Sequence, residues 1–351
     1  WTIERSIDLA LTALGEIEDP LPADIRKSEE LIDLDVALHA IHKPTSLEQL
    51  EASRLRLKWD EALALQVVLA KQRHEEDSWP AISRSEKPDG LLAAFDARLP
   101  FTLTQGQSEV AKTIAAEMAA GHPMHRLLQG EVGSGKTVVA VRAMLTVVDS
   151  GGQAALLAPT EVLAAQHYRA ITTLLGPLAE RGKLGAHDEG TGVTLLTGSM
   201  TTAARRQALL DITSGQAGIV IGTHALLEDR VDFFDLGLVV IDEQHRFGVE
   251  QRATLVGKAG SDRRPHVLVM TATPIPRTVA MTAFGALDIS TLSELPAGRS
   301  PITSHVVLSA EKPSHLARAW ERIVEEVKAG HQAYVVVPRI ASQEDKDLKP
   351  G

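Results

Sequence analysis

At 351 residues the chain is too long for one domain of ordinary size, and we expect two or three domains. Its apolar fraction of 44% beside 23% charged residues is typical of globular proteins, and we find neither a membrane-spanning apolar run nor a signal peptide. The absence of cysteine excludes disulfides and thiolate sites, and it favours a cytoplasmic protein. The formal charge of −10 argues against a globally basic protein that coats nucleic acid, although local basic surfaces could still bind phosphate.

Helical spacing dominates the first quarter of the chain. Apolar residues recur on one helical face over 3–14 and again over 59–70, and prolines at 20, 22 and 44 separate the helices. Thr45 or Ser46 is expected to cap the helix that follows. His39 and His42 lack a third ligand, so we favour surface or packing roles over a metal site. Turn residues over 77–99 mark a boundary, and we interpret residues 1–98 as a helical arm.

Thr104 is predicted to cap a helix that ends near Gly121, and a strand, a glycine-rich loop and a second helix follow. The loop has the spacing of a P-loop, in which backbone N–H groups and a helix N-terminus surround nucleotide phosphates. Lys136 is expected to reach the β- and γ-phosphates and the Thr137 hydroxyl to ligate Mg²⁺. The alternative is a glycine-rich turn that binds nothing. The predicted phosphate-binding residues are Gly130, Gly133, Ser134, Gly135, Lys136 and Thr137.

From residue 126 onward, short apolar runs alternate with helical segments. The runs cover 127–128, 154–157, 193–196, 219–221, 238–241 and 267–270, and each ends in a polar turn. This alternation predicts an α/β fold with a parallel sheet covered on both faces. Ligands of such sheets bind outside the carboxyl ends of the strands, where these polar turns lie.

The run 238–241 ends in Asp242 and Glu243. Asp242 suits a Mg²⁺ ligand, and Glu243 suits a residue that polarises the attacking water. Adjacent acids after a strand are common by chance, but phosphoryl transfer needs them together with a P-loop. For His245, which follows closely, a capping or packing role is the alternative to a functional one.

The alternation of predicted strands and helices begins again after Pro301. We predict strands over 304–308 and 332–337 with a helix over 315–328 between them. Two strands and one helix cannot enclose a core, so we interpret this region as the start of a second α/β domain.

These segments resemble motifs I, II and III of superfamily 2 helicases, at 130–137, 242–245 and 271–274 respectively. The longer runs 222–226, 244–252 and 271–278 resemble the RecG branched-DNA helicases and their relative, the transcription-repair coupling factor. Gln244 and His245 after the acidic pair favour RecG. So do residues 42–44 and 54–61, which look like the helical segment after its wedge domain.

The resemblance implies a RecA-like P-loop NTPase domain over 99–300, a preceding arm over 1–98 that links to a wedge domain, and the start of a second RecA-like domain over 301–351. It implies an ATP-dependent DNA helicase or translocase that uses ATP and Mg²⁺ on forks and Holliday junctions in recombination and repair. We expect a monomer without membrane contact, with single-stranded DNA-binding protein as a further candidate partner. The alternatives are a transcription-repair coupling translocase and a non-catalytic nucleotide- or DNA-binding module.

Residue roles also follow from the resemblance. Phe101, Thr104 and Gln107 match the region that borders the adenine, and His245 and Thr271–Thr273 would couple the nucleotide state to DNA contacts. The residues implied to be catalytic are Lys136, Asp242, Glu243 and His245, with Thr137 and Asp242 as metal ligands. The segments implied to meet the DNA backbone are Thr160–Glu161, Thr197–Ser199 and Gly222–Thr223, with Thr160, Gly198, Ser199, Gly222 and Thr223 as the contacting residues.

The sequence departs from the family pattern in its later part. The arginine-bearing motif VI and the translocation hairpin are not found, and Arg339 is not a credible substitute. We therefore expect the sequence to be part of a longer protein, and expect these residues alone to bind nucleotide but to hydrolyse it poorly.

Overall fold

A computed structural model of the protein describes residues 2–15, 17–179, 190–242, 254–258, 263–273, 287–294, 303–307 and 313–337. The chain divides into two compact units, Trp1–Pro296 and Ala297–Gly351. The finer division of the first unit into an arm and a helicase domain remains a prediction.

The first unit begins with the predicted helices. They are α1 (Thr2–Ala13), α2 (Ala23–Ser28), α3 (Leu34–His42) and α4 (Leu47–Asp77). Ser46 caps α4, since its hydroxyl accepts the N–H of Gln49 at 3.1 Å.

A buried arginine holds α3, α4 and the segment before α2 together. Arg56 of α4 is fully buried; it donates to Asp19 at 2.6 Å and to the carbonyl of Ile32 at 2.9 Å. Burial alone would raise the pKa of Asp19, but the N–H groups of Leu34 and Leu21 and the charge of Arg56 outweigh it, so this pKa is lowered. The ion pair is therefore satisfied on both sides, as a buried charge requires.

Two helices lead into the sheet, α5 (Leu91–Arg98) and α6 (Gln105–Met118). The sequence predicts α6 but only turns where α5 lies. The N-cap of α5 is Gly90, which offers no side chain; instead Asp149 accepts the N–H groups of Leu91 at 2.6 Å and Leu92 at 3.1 Å. Because its cap is distant in sequence, α5 leaves no local start signal.

Among the described residues, seven strands form one sheet in the order β3-β4-β2-β5-β6-β1-β7, and every neighbouring pair is parallel. The strands are β1 (His125–Gly130), β2 (Gln153–Leu157), β3 (Gly192–Leu196), β4 (Ala217–Gly222), β5 (Leu236–Asp242), β6 (His266–Thr271) and β7 (Asp288–Leu292). The intervening helices are α7 (Lys136–Asp149), α8 (Glu161–Leu175) and α9 (Thr202–Thr213). The predicted parallel α/β sheet is confirmed, and β7 is an addition that the sequence did not suggest.

The hydrophobic core lies on both faces of the sheet. Consecutive strand residues alternate between faces, so Leu128 packs in the cluster that contains α5 to α8, while Leu127 packs in the cluster that contains α9. Helix α7 is nearly enclosed, with ten of its residues buried. In the part of the chain that the structure describes, no helix is long and apolar enough to cross a bilayer.

The amino edge of the sheet is closed by two buried side chains. Arg84 donates to both carboxylate oxygens of Asp235, at 2.7 and 2.8 Å. The Nδ1 atom of His266 accepts the N–H of Met124 at 3.0 Å, and its Nε2 lies 3.2 Å from the carbonyl of Ile82. Arg84 thus joins the segment before α5 to the residue before β5. His266 joins the segments before α5 and β1 to the start of β6.

The second unit contains one helix among its described residues, α10 (Pro313–Lys328), which confirms the predicted helix. The predicted strands over 304–308 and 332–337 are wrong, since the described residues 303–307 and 331–337 have no strand conformation. A strand needs a neighbour for its backbone groups, and these segments have none in the described residues. Their apolar side chains lie open to solvent, with Val306 91% and Val336 93% exposed.

We expect Asp149→Ala to destabilise the protein by about 2 kcal/mol, because two buried N–H groups of α5 lose their acceptor. Urea unfolding of the variant measures this free energy. Asp229→Ala removes an exposed carboxylate and serves as the control; equal stability of the two variants would show that Asp149 does not cap α5.

Stability should also fall at acid pH through His266. Burial, opposed only in part by the Ile82 carbonyl, lowers the pKa of this imidazole to about 4. In the unfolded state this imidazole has its ordinary pKa of about 6.5, so below that pH the unfolded state binds more protons than the folded state. The stabilisation is therefore fully present above about pH 6.5 and is lost as the pH falls towards 4. Between about pH 7.5 and pH 5 the loss should be about 2 kcal/mol.

Urea unfolding at these two pH values checks the effect. His266→Gln should show a smaller difference between the two pH values than the parent protein, and His74→Gln, at an exposed position, should not. An unchanged difference in His266→Gln would assign the acid sensitivity to other groups.

Candidate nucleotide site and nucleic-acid interface

The predicted nucleotide-binding segments meet at the carboxyl edge of the sheet. The P-loop follows β1, Asp242 ends β5, and β6 lies between these two strands. The strand ends are level, because Gln129 pairs with Thr271 and Asp242 pairs with Met270. The three segments therefore come from neighbouring strands at one edge.

The backbone of the P-loop depends on glycine. Gly133 and Gly135 have φ angles of +87° and +84°, in the left-handed region that side chains disfavour. A Cβ atom on Gly135 would also overlap the amide nitrogen of Gln107. Gly130 is packed closely as well, since a Cβ there would lie 2.6 Å from the Ser134 hydroxyl. That hydroxyl is buried and lacks a hydrogen-bond partner among the described residues.

The side chain of Lys136 folds back over the P-loop. Its Nζ donates to the carbonyls of Gly130 at 2.6 Å and Glu131 at 3.0 Å. Its ammonium group therefore already lies at the loop, where the N-terminus of α7 also favours an anion. Thr137 follows in the first turn of α7 and is half-buried.

Gln107 joins the loop to the start of α6. Its Oε1 accepts the N–H of Thr104 at 3.0 Å, completing a capping box, and its Nε2 donates to the carbonyl of Ser134 at 2.9 Å. Phe101 is 48% exposed and lines a different place, a cleft of about 570 Å³. The structure thus brings Gln107 against the P-loop, while Phe101 lines this cleft.

Asp242 has a partner that the sequence analysis missed. Its Oδ2 lies 2.7 Å from Nε2 of His167 on α8, and both side chains are 14% exposed. A histidine in mid-helix carries no motif signal, so only the packing of α8 reveals this pair. Glu243 and His245 lie outside the described residues.

Thr137 and Asp242 are chemically suited to Mg²⁺. Among the described residues no group of three or more histidines and carboxylates could hold a metal. Mg²⁺ does not need such a group, because it commonly binds through one or two carboxylates together with phosphate oxygens and waters. A hydroxyl, a carboxylate and the nucleotide itself would supply that set.

Motif III ends β6 in a local hydrogen-bonded turn. The hydroxyl of Thr271 accepts the N–H of Thr273 at 3.2 Å, and the two hydroxyls lie 3.0 Å apart. Thr271 is buried and Thr273 is exposed.

Two predicted DNA-contacting segments meet through Glu161. Thr160 caps α8 by accepting the N–H of Leu163 at 3.3 Å. The carboxylate of Glu161 accepts the N–H of Ser199 at 3.0 Å and its hydroxyl at 2.5 Å. These bonds, the one from the Ser199 side chain foremost, lower the pKa of Glu161. An anionic group of the chain itself thus lies against Ser199, beside Gly198.

The other predicted DNA-contacting residues are less accessible. Gly222 and Thr223 are both buried, and a Cβ on Gly222 would overlap the carbonyl oxygen of Leu196. The hydroxyl of Thr223 has no hydrogen-bond partner among the described residues. Gly222 therefore allows β4 to pack closely against Leu196 of β3, in addition to any contact with a ligand.

Comparison with known proteins agrees with this arrangement. The DEAD/DEAH box helicase family model matches residues 104–282. The ATP-dependent DNA helicase RecG of Mycobacterium tuberculosis (strain ATCC 25618 / H37Rv) is 55% identical over 351 residues, which are 100% of this chain and 48% of the relative. RecG of Bacillus subtilis (strain 168) is 41% identical over 348 residues, 99% of this chain and 48% of that protein.

A solved structure of RecG bound to a three-way DNA junction is also similar. It has a TM-score of 0.74 and 35% identity, over 93% of this chain and 41% of that one. The chain thus spans about half the length of the curated relatives it matches, and it belongs to the DEAD/DEAH box helicase family.

Proposed function

We propose that the chain is the front part of the motor of an ATP-dependent DNA helicase or translocase that acts on branched DNA in recombination and repair. Its substrates would be replication forks and Holliday junctions, remodelled by fork regression and branch migration. The similarity to RecG supports this proposal, because the similar solved structure contains a three-way DNA junction.

One observation carries the enzymatic part of the proposal. The P-loop and Asp242 lie at the ends of β1 and β5, with β6 between them, at the edge where α/β sheets bind ligands. Phosphoryl transfer needs both parts, since one positions the γ-phosphate and the other holds the metal.

Each residue of the site would have its own role in phosphoryl transfer. Lys136 would exchange its bonds to the loop carbonyls for bonds to the β- and γ-phosphates, and the loop N–H groups would hold the remaining phosphate oxygens. Thr137 and Asp242 would hold Mg²⁺, which neutralises charge on the phosphates. Glu243 would orient the attacking water, and Phe101 and Gln107 would border the adenine.

The DNA backbone would lie along the other half of the same edge. Thr160, Gly198 and Ser199 follow β2 and β3, and hydroxyl and N–H groups there suit phosphate contacts without reading bases. Gly222 and Thr223 would join them, with His245 and Thr271 coupling this half to the nucleotide. We further propose a cytoplasmic monomer, with single-stranded DNA-binding protein as a partner.

The test is the ATPase rate of the complete protein with fork, linear duplex and single-stranded DNA at matched salt, because phosphate contacts make affinity salt-dependent. Stimulation should be strongest with the fork. Equal stimulation by all three would contradict branch recognition, and no ATPase activity with any of them would contradict the motor assignment.

In the complete protein, Lys136→Ala and Glu243→Gln should each abolish DNA-stimulated hydrolysis, because the first removes a phosphate contact and the second removes the base that orients water. The ATPase assay with fork DNA measures this. Lys27→Ala, at an exposed position on α2 and outside the P-loop, is the control and should retain activity. Turnover of either active-site variant within a few-fold of the parent would refute its assigned role.

The Glu161 carboxylate should weaken DNA binding, because a phosphate must displace it from Ser199. We expect Glu161→Gln to bind duplex DNA severalfold more tightly at matched salt, as judged by fluorescence anisotropy. Ser199→Ala should weaken binding. If instead Glu161→Gln weakens binding, the carboxylate organises the loop for DNA and does not compete with it.

A further inference from the structure

We propose that His167 is a positioning residue of the nucleotide site, which holds the Asp242 carboxylate in the orientation that meets magnesium-bound nucleotide. The inference rests on the proposed function, because it takes Asp242 as the magnesium ligand. It is carried by the 2.7 Å contact between His167 Nε2 and Asp242 Oδ2.

The chemistry of the contact assigns the proton. An ionised carboxylate only accepts hydrogen bonds, so Nε2 of His167 is the donor. A carboxylate has about four lone-pair sites, and one bond from an imidazole leaves the others open. Hydrogen bonding by His167 is therefore compatible with coordination of a cation by the same group, and it restricts the rotation of the Asp242 side chain.

Both partners are mounted on rigid elements. Ala164 and Ile171 lie three residues before and four residues after His167, on the same side of α8, and both are fully buried. Asp242 ends β5, whose residues from Leu238 to Ile241 are fully buried between two neighbouring strands. The imidazole therefore has a defined place relative to the strand end.

Positioning matters more at a magnesium site than at an ordinary ion pair. Mg²⁺ requires near-ideal octahedral geometry, so a ligand free to rotate binds it less well. Partners that orient metal ligands are commonly worth roughly 10-fold to 100-fold in metal affinity. A purely structural His167 would instead change stability and nucleotide binding alike, with or without the metal.

The experiment measures nucleotide binding rather than turnover. A fluorescent ATP analogue is titrated into the complete protein, first in EDTA and then at increasing Mg²⁺ concentration. We expect His167→Ala to bind the analogue in EDTA as the parent does, while the Mg²⁺ concentration for half-maximal tightening rises roughly tenfold. His167→Gln, whose amide can also donate, should restore part of this difference.

Two controls keep the outcome interpretable. His122→Ala, at an exposed position, should match the parent, and thermal unfolding without nucleotide reports any loss of fold. An unchanged Mg²⁺ requirement in His167→Ala overturns the inference, as does an equal loss of affinity in EDTA and in Mg²⁺. Failure of the parent protein to bind the analogue at all would overturn the proposed function itself.

Discussion

The strands of the sheet pair only in parallel, and the middle residues of β2, β4, β5 and β6 are covered on both faces, so the polar groups of these strands lie at their ends. In β5, the residues from Leu238 to Ile241 are fully buried, and the first carboxylate is Asp242. In β6 the buried run likewise ends at Thr271. This constraint concentrates the chemistry of the domain at one edge, and pairing of β6 with both β5 and β1 brings three separate motifs to neighbouring positions.

The P-loop illustrates how a turn that depends on glycine is held in shape by its surroundings. Two glycines with left-handed φ angles allow the turn, but the turn is held from outside by the Gln107 amide, which bonds the Ser134 carbonyl. The same amide completes the cap of α6. One side chain thus ties the start of α6 to the P-loop, and a preorganised anion site requires support of this kind.

Helix α8 links the two halves of the edge. Glu161 in its first turn contacts Ser199, and His167, further along the helix, contacts Asp242. Each contact is made by a carboxylate, that of Glu161 or that of Asp242. Such a group can bind a cation, and an anion can displace it from its hydrogen-bond donor. Because α8 is one continuous helix buried at Ala164 and Ile171, the contact with Ser199 and the contact with Asp242 are held by the same element.

The sequence by itself determined what depends on short spacing: the P-loop, the acidic strand end, the alternation of strands and helices except for α5 and β7, and the cap at Thr104. For α4 it left Thr45 and Ser46 as alternative caps, and the structure has Ser46. Tertiary structure decided what depends on partners distant in the chain. Helix α5 takes its cap from Asp149, 58 residues from Leu91, and His167 meets Asp242 across 75 residues. A strand over 304–308 was predicted from the local residue pattern, but the described residues 303–307 have no strand conformation, because backbone N–H and C=O groups form a strand only when a neighbouring strand pairs with them.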